Sequence, residues 1–167
     1  MNMPRGSLDS ADGVVDVSIL VPATFDNPLK GDAVEFIAEI LSGRRKAIIP
    51  IAIILGAYHI ATRYLRVPRL IVRKILEGIL RTRSPALYPN LTVNLALDSL
   101  DYAAHYGIES WDGFLIALSR SLGSGVIYTL DEELAKVKEI SVINPFPREK
   151  VAEYHRWIEE RLSRRSH

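Results

Sequence analysis

The sequence predicts an α/β domain built on a parallel sheet of about four strands, with helices on both faces. Three observations carry that prediction. Short apolar runs alternate with longer segments of helical period, the first run is almost continuously apolar, as in a strand covered on both sides, and turn or cap residues punctuate the runs. Four runs qualify as strands: Val14 to Leu20, Ala47 to Ile49, Val126 to Thr129 and Ile140 to Ile143. Strands that alternate with helices pair in parallel, because each helix carries the chain back to start the next strand.

Met1 to Asp12 is polar and reads as a flexible leader, without the apolar core of a signal peptide. The first strand is broken by Pro22 and by the Asp26-Asn27-Pro28 turn. Asp32 with Glu35 three residues on has the form of a capping box, and Val34, Ile37, Ala38 and Leu41 follow at helical spacing until Gly43. After the second strand, Pro50 suits the first turn of a helix running to about Leu65, which Val67-Pro68 ends. A helix from Pro68 to about Arg81 sets Ile71, Ile75 and Ile79 on one side. Ser84-Pro85 and Pro89-Asn90 mark a loop, and a helix from Thr92 to Tyr106 closes at Gly107. Ser110 caps a helix that carries Leu115, Leu118 and Leu122 and stops at Gly123. The third strand, a short helix from Asp131 to Val137 and the fourth strand follow. Pro147 opens a final amphipathic helix with Val151, Tyr154, Ile158 and Leu162 on one face. The expected organisation is a leader over 1–12, one domain over 13–146, and a C-terminal helix over 147–167 packed on it.

Composition narrows the function classes. A chain of 167 residues, 48% of them hydrophobic, can bury the core of one domain. Its net charge of +1 argues against wholesale electrostatic capture of nucleic acid. The local basic runs, Arg44-Arg45-Lys46, Arg63 to Arg83 and Arg161 to Arg165, are candidates for local capture of nucleic acid, with solvated helix faces and ends as the more ordinary reading. Cysteine is absent, which excludes disulfides, thiol catalysis and thiolate-held zinc and fits a reducing cytoplasm. The longest apolar stretch, Ala47 to Ala61, is shorter than the ~20 residues that span a bilayer. It reads as a buried core helix of a soluble, cytoplasmic protein with no membrane partner.

Three aspartates stand where strands meet helices: Asp16 in the first run, Asp112 at the start of Asp112-Gly113-Phe114-Leu115, and Asp131 after the third strand. An ionised carboxylate beside apolar sequence is costly to bury without a partner. Asp131 can cap its helix, and Asp112 can favour the positive end of a helix dipole; Asp16, inside an apolar run, needs a partner. Ser18 and Thr129 place hydroxyls two positions from Asp16 and Asp131, and on alternating strands those side chains point the same way as their acids. Ligand sites of open parallel sheets lie at the carboxyl ends of strands, so one pocket could hold all three acids. Converging carboxylates call for a cation, and Mg2+ or Mn2+, which keep several waters, need only two or three. Such a site activates water and stabilises a pentacovalent phosphate, so the implied chemistry is phosphodiester hydrolysis. Trp111 is expected to pack against the sheet, with base stacking at the pocket rim as the alternative. Asp16-Val17-Ser18 lacks the second aspartate that haloacid-dehalogenase-like phosphatases need. No Walker-type phosphate loop is present, and the four histidines lack zinc-like spacing.

Val15-Asp16-Val17-Ser18, the segment from Tyr106 to Ala117 around Asp112-Gly113, and Tyr128-Thr129-Leu130-Asp131, in that order, resemble the PIN-domain family of metal-dependent ribonucleases, which includes the VapC-type toxins. The resemblance spans roughly Gly13 to Phe146. It implies a three-layer α/β/α fold and a Mg2+ or Mn2+ pocket formed by Asp16, Asp112 and Asp131, with Ser18 and Thr129 in support. It also implies single-stranded RNA as substrate, with an antitoxin-type protein and a second copy of the chain as further partners. One position departs from the pattern. PIN domains usually carry a glutamate early in the helix after the second strand, where this chain has Gly56, and no acid occurs between Arg44 and Arg73. His59, one turn on, is expected to be packed or at the surface. Two functions follow: a metal-dependent endoribonuclease, or a catalytically degenerate PIN-like module that binds RNA or a protein partner without cutting.

Overall fold

Residues 11–165 are described by a computed structural model; Met1 to Ser10 of the expected leader, and the last two residues, lie outside the described residues. Five strands form one sheet: β1 (Gly13–Val15), β2 (Ala47–Pro50), β3 (Leu87–Tyr88), β4 (Val126–Tyr128) and β5 (Ser141–Ile143), in the order β3-β2-β1-β4-β5. Every neighbouring pair is parallel. The expected count of about four is thus one short. The extra strand, β3, pairs Leu87 with Ile49 and Tyr88 with Pro50 inside the expected loop. Two residues between Pro85 and Pro89 show no period, and flanking prolines confine such a segment to a sheet edge.

The helices are α1 (Val17–Leu20), α2 (Lys30–Leu41), α3 (Ile51–His59), α4 (Arg69–Arg81), α5 (Val93–Tyr106), α6 (Ser110–Ser121) and α7 (Arg148–Arg164). From β1 the chain steps through β2 to β3, then recrosses the sheet to β4 and β5. Right-handed crossovers that run in opposite directions set their helices on opposite faces, so α2 to α4 cover one face and α5–α6 the other. Accordingly α3 packs on α4, while α6 packs on α5, β1 and β4. The strands between them are buried at Val14, Val15, Ile48, Ile49 and Ile127. This is a three-layer α/β/α fold. The direction of travel reverses between β1 and β4, and a crevice at their carboxyl ends is where such sheets bind ligands.

Several expected boundaries shift. The first strand ends at Val15, and the rest of its apolar run is the buried helix α1 and a 3-10 turn, Val21–Thr24. A continuous apolar run does not distinguish a buried strand from a buried helix. Asp32 is not a cap: α2 begins at Lys30, and Asp32 in its first turn meets Lys150 Nζ at 2.8 Å. Likewise Ser110 is the first residue of α6, with Glu109 at the cap position. The helix expected to reach Leu65 ends at His59 and continues as a π turn, Ile60–Tyr64. On α4 the buried stripe is Val72, Leu76 and Ile79, and Ile71 is 49% exposed. α7 lies on the α1–α2 side, where Trp157 meets Phe25 with ring centroids 5.7 Å apart and Val151 and Tyr154 are buried. Among the described residues no helix is long and apolar enough to cross a membrane.

Candidate active site

Asp16 closes β1 and opens α1. Its backbone is extended, with φ −81° and ψ 159°, and its Oδ1 accepts the Val17 N–H at 2.7 Å. Its own N–H donates to the Tyr128 carbonyl, continuing the β1–β4 ladder. Oδ2 accepts two hydroxyl protons, from Ser18 Oγ at 2.8 Å and Thr129 Oγ1 at 2.7 Å. Each hydroxyl in turn accepts a backbone N–H from the segment after β4: Leu130 to Ser18 at 2.9 Å, and Asp131 to Thr129 at 3.0 Å. A buried carboxylate is thereby supplied with donors, and the ends of β1 and β4 are fastened together through it. Ser18 sits on a helix, so strand alternation does not orient it; it reaches Asp16 from the first turn instead.

Asp131 caps a 3-10 turn, Glu132–Lys136, its Oδ1 accepting the Glu133 N–H at 2.9 Å. Asp112 lies in the first turn of α6. Its placement depends on Gly113: a Cβ there would stand 2.2 Å from the Ser99 carbonyl oxygen, so only glycine allows α5 and α6 to approach this closely. Asp112 is half-buried and makes no hydrogen bond or ion pair among the described residues. Burial first, then the charges of Asp16, Asp131, Glu109 and Glu133, push its carboxyl from an ordinary 3.8 up to about 7.

All three aspartates line one cleft of about 910 Å³. Ser18 lines it too, whereas Thr129 lies buried beneath. Gly56 and His59 are on its wall, and His59 is a surface residue with its ring edge-on to Tyr64 at 5.6 Å. Trp111 does not pack against the sheet: it is 48% exposed at the cleft, its ring edge-on to Phe114. Glu109, Glu133 and Lys136 also line the cleft without having been singled out in the sequence. Acids beside the start of a helix are common for dipole reasons, so their spacing from Asp112 and Asp131 gave no separate signal.

The PIN-domain family model matches residues 13–140 of the chain. The chain belongs to the PIN-domain family. PIN domains have a nuclease-type fold, their nucleases generally act on RNA, and they generally use divalent metal ions. No curated protein matches the chain. The match takes in every acid of the PIN cleft and stops before α7. In kind, the cleft fits the oxygen-seeking metals of the family: five carboxylates line it, half-buried Asp112 among them, beside one lysine, Lys136, and the imidazole of His59. Among the described residues no three His, Asp or Glu are grouped closely enough to hold an ion by themselves.

Proposed function

We propose that this PIN domain is a Mg2+- or Mn2+-dependent endoribonuclease that hydrolyses single-stranded RNA in the cleft at the ends of β1 and β4. The observation that supports this reading is the convergence on one cleft of Asp16, Asp112 and Asp131, from three separate segments, with no ion pair to any of them among the described residues. Asp16, Asp112 and Asp131 would share the cation through bound waters, since the three acids do not stand close enough to enclose an ion by themselves. The chemistry a divalent ion would supply there is activation of water and neutralisation of charge on the phosphate. Ser18 and Thr129 keep Asp16 in one orientation by donating to Oδ2. Asp112, its carboxyl pushed up to about 7, would have to give up its proton to serve as a ligand. The half-exposed Trp111 ring offers a face for a base beside the scissile bond. Cleavage of a labelled RNA pool tests the reading: wild type should cut with Mn2+ or Mg2+ and not with EDTA, and Asp16→Asn should lose about 10–100-fold in rate, as loss of a metal-supporting group does. Metal-dependent cutting that survives Asp16→Asn would overturn the assignment.

One observation favours the second reading, a degenerate module that binds RNA or a protein without cutting. Gly56 lines the cleft where the family resemblance places a glutamate. A Cβ at Gly56 meets only Val17 Cγ2, at 3.8 Å, so an acid can be added there without displacing the backbone. An inert wild type together with a Gly56→Glu variant that cuts RNA would support that reading.

A further inference from the structure

Beside the acidic cleft lies a second concavity of opposite charge. It encloses about 560 Å³ and is lined by Tyr58, His59, Thr62, Arg63, Arg66 and Arg69. His59 lines both it and the acidic cleft, so the two hollows share a wall.

The long basic run of the sequence is divided in two by the fold. Arg73 and Arg81 flank Glu77 on α4 and both pair with it. Arg63, Arg66 and Arg69 are exposed and pair with no acid among the described residues. The sequence offers them none nearby, since no Asp or Glu occurs between Arg44 and Arg73. A fourth guanidinium arrives from the end of α7, where Arg165 Nη1 donates to the Arg66 carbonyl at 3.1 Å. Like charges gathered this way repel one another unless an anion joins them.

The backbone that gathers them is unusual twice over. Arg63 sits in the π turn, a distortion frequent at functional sites. Arg66 has φ 55°, a left-handed conformation that glycine adopts freely and arginine only under strain. A glycine would end the helix there more cheaply, whereas arginine keeps a cation facing the hollow.

The acidic cleft on its own repels a polyanion. Lys136 is its single Lys or Arg among the described residues, and a net charge of +1 gives the chain no general attraction for RNA. Affinity for a phosphodiester chain therefore has to come from cations outside the cleft. We propose that Arg63, Arg66 and Arg69 form a phosphate-binding subsite that holds the RNA backbone flanking the scissile bond, with the strand passing over His59 between the two hollows. Tyr58 in the basic hollow and Tyr64 on the cleft wall present exposed rings on which flanking bases stack. This rests on the acidic cleft being the place where RNA is cut.

The test is binding of a short fluorescently labelled single-stranded RNA in EDTA, followed by anisotropy between about 50 and 200 mM salt. The triple variant Arg63→Gln, Arg66→Gln, Arg69→Gln should bind about tenfold or more weakly at the low-salt end. Its plot of log affinity against log salt should be shallower by about 2, at ~0.7 per lost phosphate contact on a single strand. A control triple variant, Arg44→Gln, Lys46→Gln, Lys138→Gln, removes the same charge from the loops before β2 and β5 and should stay within about twofold of wild type, as expected of charges that meet no phosphate. Arg66→Gly alone should keep or raise the melting temperature, by relieving the backbone, while weakening binding. Wild-type affinity in the first triple variant, an equal loss in the control, or no RNA binding by wild type would each overturn the subsite. A parallel reaction with Mn2+ separates the two ideas. If wild type does not cut, the nuclease reading fails while the binding result stands; if it cuts and the first triple variant binds unchanged, only the subsite fails.

Discussion

Ser18 and Thr129 each serve Asp16 twice, by donating a proton to its Oδ2 and by accepting an N–H from the segment that carries Asp131. Thr129→Val keeps the shape and deletes both bonds, leaving the Asp131 N–H and half of the Asp16 Oδ2 acceptor unmet. It should lower stability by about 1–3 kcal/mol in urea unfolding and slow RNA cleavage. For Asp112 the folded pKa of about 7 lies above the unfolded 3.8. The native state therefore binds more protons between about pH 4 and 7, and this group's contribution to stability falls as pH rises through that window. The full shift corresponds to at most ~4 kcal/mol; because Asp112 is only half-buried, solvent screening reduces the expected figure to about 1–2 kcal/mol. Asp112→Asn should thus stabilise the metal-free protein at pH 8 and do so much less at pH 4.5, read by thermal melts at both. The three aspartates were legible in the sequence because an acid in apolar surroundings has few uses. The partners of Asp16 were half legible: the right hydroxyls, reached from a helix and not along a strand. Glu109, Glu133 and Lys136 were not, because exposed charges carry no burial cost to betray them.

At the level of elements, the cleft exists because α6 delivers its first turn to the ends of β1 and β4, and Gly113 permits the close approach of α5 that holds it there. Gly113→Ala should cost about 1–3 kcal/mol or more through overpacking, and should reduce cleavage as well, since Asp112 is the preceding residue. Gly56→Glu offers the contrast: with open space at its Cβ it should leave the melting temperature nearly unchanged while altering metal-dependent activity. Elements with explicit punctuation were legible. Thr92 caps α5 through the Leu95 N–H, and Gly107 and Gly123 take positive φ after α5 and α6. Where a single apolar run crossed a strand–helix junction, as at Val15 to Val17, nothing in the pattern marked the change until Asp16 was seen as a cap.

Across the whole molecule, the strand order matters more than any one element. Travelling outward from β1 in both directions leaves a crevice between β1 and β4, and the acids that follow those strands meet there. The sequence yields alternation, and hence a parallel sheet, but not the order of its strands, which depends on contacts between distant segments. α7 lies outside the family match yet buries Val151 and Tyr154 against the core. Tyr154→Ala should therefore lower stability by about 3–5 kcal/mol, measured by urea unfolding. The claim that joins these scales is that the acidic crevice is a divalent-cation site. Crystals soaked in Mn2+ and measured at the manganese absorption edge address it directly. We expect an anomalous peak within reach of Asp16 and Asp112, lost or much weakened in Asp112→Asn; an empty crevice in wild type, or manganese bound only elsewhere on the molecule, would contradict it.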